Sequence, residues 1–109
     1  MKLVARVPVA EVKEKGLVRI PHPPYDVVVA FTEGEIYAME DACNHAGASL
    51  AEGWTEEKCI VCPMHGYVFS LESGKLLRPR GLCQDQRMYR AVVEGDEVAI
   101  YDTFELTIV

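Results

Sequence analysis

The stretch from Cys43 to His65, CNHAGASLAEGWTEEKCIVCPMH, constrains this chain more than any other. It opens with a Cys-x-His pair, Cys43 and His45, and closes with a Cys-x-x-His pair, Cys62 and His65, with small and acidic residues between. Two of the chain's three histidines and three of its four cysteines lie here. Soft thiolates and imidazoles concentrated at such short spacings point to a metal site rather than to packing. The rest of the polypeptide has to hold two ligand-bearing loops in register with each other.

That framework is small. A length of 109 residues leaves room for one core, so residues 1–109 are expected to form a single domain. Half of the residues are hydrophobic and about a quarter charged, as in ordinary soluble proteins, and no apolar run is long enough to cross a bilayer. The start, MKLVARVPVAEVKEKG, lacks the apolar h-region and cleavage site of a secretory signal, so the expected compartment is the cytoplasm. Seventeen acidic against eleven basic residues leave a formal charge of −6. That sign disfavours nucleic acid and favours partners with basic docking patches. In a reducing compartment, interleaved Cys and His favour metal ligation over disulfides.

Alternation predicts strands. Lys2 to Val12 keeps a two-residue period, with Pro8 marking an edge or a strand end. Leu17 to Ile20 is a second apolar run that stops at Pro21, Pro23 and Pro24, and His22 between these prolines is expected as an exposed loop residue, not a ligand. Three hairpins follow. Asp26 to Thr32 and Glu35 to Glu40 flank Glu33-Gly34; Tyr67 to Leu71 and Lys75 to Leu77 flank Glu72-Ser73-Gly74; Met88 to Val93 and Glu97 to Tyr101 flank Glu94-Gly95-Asp96. No segment shows a helical period, and Thr103 to Val109 reads as either a strand or a loose end. The expected fold is all-β: small antiparallel sheets with a ligand-bearing subdomain, about residues 41–81, inserted between hairpins.

The order of the ligands narrows the metal. Zinc fingers of the Cys₂His₂ kind keep their cysteines together and their histidines together, with the second pair on a helix. Here each short motif mixes one Cys with one His, an arrangement suited to an asymmetric two-iron cluster with a thiolate and an imidazole from each loop. A zinc-stabilised interaction module without redox chemistry is the competing reading from another class.

The combination Cys43-x-His45-x-Gly47, with Leu50 and Gly53, followed by Cys62-Pro63-x-His65-Gly66-x-x-Phe69, Ser73-Gly74 and Pro79, resembles the Rieske [2Fe-2S] proteins. The resemblance implies one [2Fe-2S] cluster per chain, with Cys43 and Cys62 on one iron and His45 and His65 on the other. Gly47 and Gly66 would give the loops conformations that a Cβ blocks, and Pro63 would stiffen the second loop. The departures matter as much. High-potential members carry an extra cysteine in each loop, joined as a disulfide, where this chain has Ala48 and Met64; their serine after the second His-Gly is Tyr67 here. With those devices missing, the expected potential lies at the low end for this cluster, about −150 mV. The resemblance is to the ferredoxins of bacterial dioxygenase systems. It implies a monomeric one-electron carrier, not an enzyme, between a flavoprotein reductase and a terminal oxygenase, away from membrane and nucleic acid. The small subunit of an NAD(P)H-dependent nitrite reductase is the second redox reading.

Other conspicuous residues have plainer expectations. Cys59 and Cys83 are expected to be buried structural cysteines, since the cluster already has four ligands. Trp54, Tyr37 and Phe69 are expected in the core or covering the cluster, and Arg78 and Arg80 as solvated charges of a loop around Pro79.

Overall fold

In the computed structural model, which describes residues 2–43, 47–64, 66–78 and 84–103, the strands form two antiparallel sheets. The larger has the order β1 (Lys2–Pro8), β10 (Glu97–Asp102), β9 (Met88–Glu94), β4 (Glu35–Glu40), β3 (Val27–Thr32) and β2 (Leu17–Ile20). The smaller runs β5 (Trp54–Glu56), β6 (Cys59–Val61), β7 (Val68–Ser70) and β8 (Leu76–Arg78). The three expected hairpins are present as β3–β4, β7–β8 and β9–β10.

Strand β3 explains how the two sheets meet. Its run Val27 to Ala30 is buried on both faces. Val27 and Val29, with Ala38 of β4, pack against Val7, Val12, Val98 and Ile100. Val28 and Ala30, with Met39, pack against Ile60, Phe69 and Leu71 of the smaller sheet and its flanks. The larger sheet is thus a base with one core of its own and a second core shared with the smaller sheet. An uninterrupted apolar run is what a strand covered on both faces requires.

Two elements differ from the sequence expectation. The strand predicted from Lys2 to Val12 stops at Pro8, and a helix, α1 (Val9–Lys15), follows. Val12, its fully buried residue, joins the base core, Lys15 Nζ reaches Glu11 Oε1 at 2.9 Å, and Gly16 closes the helix at φ 77° with its N–H on Val12 O. Two turns that bury one side chain completely leave little period to read, and so short a helix owes its existence to packing. The interval of small and acidic residues between the two Cys/His pairs, for which the sequence predicts no element, contains the hairpin β5–β6, turning at Glu57 with φ 54°. Of the expected tail element, only Thr103 lies among the described residues, and it belongs to no strand.

Candidate metal centre

Each ligand loop grows from a buried cysteine. Strand β4 ends at Glu40, and the chain runs through Asp41 and Ala42 to Cys43, whose N–H donates to Ala48 O at 2.8 Å while Gly47 N–H donates to Cys43 O at 2.8 Å. An isolated antiparallel bridge between Ala42 and Ser49 seals the neck. The second loop leaves β6 at Cys62 and is closed by the Cys62 N–H on Tyr67 O at 2.8 Å. Gly47 (φ 74°) and Gly66 (φ 70°) both occupy the left-handed region, where a side chain is strained, as the motif predicted. Pro63, Met64, Gly47 and Gly66 are exposed, whereas Cys43 is 2% and Cys62 0% exposed. The two cysteines belong to one core cluster with Leu50, Tyr67 and Phe69. His45 and His65 lie outside the described residues, as do Pro79, Arg80 and Cys83.

The donor set at the roots of the loops suits an iron–sulfur group. Two thiols outside any disulfide, brought into one apolar cluster and rooted in separate loops, supply the soft ligands such a cluster takes. Gly53 shows how closely the loops are tied. A Cβ there would stand 1.9 Å from Val61 O, so the end of the first loop rests on the residue preceding Cys62.

Polar residues that no motif singles out support the first loop. Asp41, 2% exposed, accepts the Ala51 N–H on Oδ1 at 2.9 Å, and its carbonyl accepts the Leu50 N–H, holding the short 3-10 turn Leu50–Glu52. Arg19 of β2 lies 3.5 Å from Asp41 Oδ2 and donates to Asp26 Oδ2 through Nη2 at 2.7 Å and Nε at 3.0 Å. The His22 N–H, followed by the Arg19 guanidinium, holds the Asp26 carboxyl below its ordinary range. His22 itself is half-buried rather than exposed, its backbone drawn onto Asp26 Oδ1 at 2.9 Å. A lone acid after a strand carries no spacing signal, so Asp41 could be found only from its burial.

Several expectations need correction. Trp54 is not in the core: it is 48% exposed, with Nε1 donating to Glu56 Oε1 at 3.2 Å. It lies on edge strand β5, in the cross-strand row Trp54, Val61, Val68, Arg78. The neighbouring strand positions Thr55, Ile60, Phe69 and Leu76 turn toward the shared core, which puts the tryptophan's row on the opposite face, where Val61 and Val68 are buried and Trp54 and Arg78 at its ends are exposed. Cys59 is half-buried, not fully buried, because it pairs with Glu56 and Ser70 on that same outer face. Tyr37 packs at the margin of the core, Phe69 is fully buried, and Arg78 is exposed.

Residues 2–82 match the family model of the Rieske [2Fe-2S] domain. This chain belongs to the Rieske [2Fe-2S] family. The family's domain holds one [2Fe-2S] cluster, in keeping with the paired thiols. A curated relative, the 3-phenylpropionate/cinnamic acid dioxygenase ferredoxin subunit of Escherichia coli (strain K12), is 40% identical over 79 residues, covering 71% of this chain and 73% of that protein. Among solved structures, the Sphingomonas yanoikuyae B1 ferredoxin superposes with a TM-score of 0.76 at 26% identity, covering 94% of this chain and 97% of that one. A chain in the complex of reduced oxygenase and oxidized ferredoxin of carbazole 1,9a-dioxygenase shares the fold, with a TM-score of 0.79, 23% identity, and coverage of 98% and 96%.

Proposed function

We propose that this Rieske protein is a one-electron carrier of a dioxygenase system, taking an electron from a flavoprotein reductase and delivering it to a terminal oxygenase. The observation that carries the reading is the pairing of two buried thiols at the roots of loops whose described residues Gly47, Pro63, Met64 and Gly66 are exposed. Cys43 and Cys62 would hold one iron, and His45 and His65 the other. When bound, the [2Fe-2S] group supplies a reversible one-electron couple. The protein's own contribution is placement. Apolar packing around Cys43 and Cys62 excludes water from the thiolate side, while Gly47, Pro63, Met64 and Gly66 beside it are exposed to a docking partner. Thiolates number two rather than four, so the ligand set adds less negative charge and makes electron uptake easier than in an all-cysteine site.

Ala48, Met64 and Tyr67 stand where high-potential members have their disulfide and serine, which supports a potential near the low end, about −150 mV. Residues 1–109 would act as one domain, with residues 41–81 as the cluster-binding unit. Among the described residues no helix is long and apolar enough to cross a membrane, and we place the carrier in the cytoplasm as a monomer. The 40% identity to a ferredoxin subunit favours this reading over a nitrite reductase subunit.

Chemical analysis and EPR of the dithionite-reduced protein test the proposal. Two irons and two acid-labile sulfides per chain, with the rhombic signal of a histidine-ligated cluster, are expected. Cys62→Ser should lose both iron and signal. Zinc in place of iron and sulfide would overturn the carrier reading.

A further inference from the structure

Three consecutive residues ahead of β9 bridge the two ligand-bearing segments. Asp85 Oδ1 accepts the N–H of Leu76 in β8 at 2.9 Å. Gln86, 4% exposed, donates its backbone N–H to Gly74 O at 2.8 Å. Its Nε2 donates to both Glu40 O at 2.8 Å and Ala42 O at 2.9 Å. Arg87 O then accepts the Glu40 N–H at 2.8 Å. Gly74, at φ +79°, admits this strap: a Cβ there would stand 2.3 Å from Gln86 O. Glu40 and Ala42 flank Asp41 at the exit that leads to Cys43, and Gly74 lies in the turn of the hairpin that begins just beyond the second loop.

A primary carboxamide has two N–H donors, and both are committed here to carbonyls on one side of the metal centre while the same residue's backbone is tied to the other side. This bridge and the Gly53–Val61 contact act together with the shared core around Leu50 and Phe69 to fix Cys43 relative to Cys62. We propose that Gln86 is a positioning residue of the metal centre, its carboxamide setting the first ligand loop against the second. The inference rests on the electron-carrier reading and adds to it a residue outside the two ligand motifs.

The test compares wild-type holoprotein with Gln86→Met, which keeps the length and loses both donors; Gln86→Asn, which keeps the amide on a shorter stem; and Val98→Ala, which damages the other core. EPR g-values, midpoint potential, iron release to a chelator and thermal midpoint are read on each. Gln86→Met should shift the g-values and the potential and release iron about tenfold faster, the scale expected when buried carbonyls lose their donors. Gln86→Asn should shift them less, and Val98→Ala should lower the thermal midpoint with wild-type g-values and potential. Wild-type g-values and potential in both Gln86 variants would overturn the proposal. So would failure of both to fold while Val98→Ala folds, which would make Gln86 a general stability residue. A wild-type protein without the reduced-cluster signal would sink the carrier reading itself, before any variant is compared.

Discussion

Gly53 and Gly34 separate two reasons for glycine. Gly34, at φ 76° in the β3–β4 turn, has nothing near the place a Cβ would occupy, whereas a Cβ on Gly53 meets the Val61 carbonyl. Gly34→Ala should therefore cost only the left-handed penalty, about 1–2 kcal/mol. Gly53→Ala must push backbone away from backbone and should cost about 2–3 kcal/mol or more, with changed cluster spectra because Val61 adjoins Cys62. Chemical denaturation followed by far-UV circular dichroism, with visible spectra alongside, checks both. A Gly53→Ala protein as stable as Gly34→Ala would mean the loops do not rest on each other. The motif marks Gly53 in the sequence, but its reason is a contact with a residue eight positions on, which no local pattern encodes.

At the scale of elements, the connection from β2 to β3 is held by Asp26, which ties His22 and Arg19 together beside the Arg19–Asp41 contact under the first loop. The Asp26 carboxyl is held below its ordinary range, chiefly by the His22 N–H, so its stabilising contribution is complete above the unfolded value of about 3.9 and disappears as pH falls through the lower folded value. Asp26→Asn should lower the thermal midpoint by a constant amount above about pH 5, with the gap to wild type closing below about pH 4. A gap unchanged across that range would show that the charge of Asp26 does not brace the loop. Elements also mark where the sequence was legible. The three hairpins announce themselves through alternating runs around Gly-containing turns, but α1 does not, because its burial is set by the base core around Val12. The β5–β6 hairpin escapes notice because its outer face carries Trp54, Glu56 and Cys59, and only Ile60 and Val61 read as buried.

At the scale of the whole molecule, a formal charge of −6 predicts attraction to basic patches on redox partners. Reduction by a flavoprotein reductase should slow as salt rises from 0.01 to 0.15 M, over which the screening length falls from about 30 to about 8 Å. Stopped-flow rates that stay flat or rise with salt would argue against a basic docking patch. The sequence by itself supplied the proposed ligands of the centre: Cys43, His45, Cys62 and His65 keep their order and spacing whatever the fold, because what a side chain can donate does not depend on it. It also determined that the frame is β, because alternation is local. Only the tertiary structure decided which residues hold the two loops together. Asp41, Gln86 and Gly53 act through hydrogen bonds and close approaches between segments distant in the chain, and Trp54 is exposed because it ends a row on the face of the smaller sheet opposite the shared core. Such roles depend on which backbone groups are neighbours in space, and that is settled only when the sheets pack.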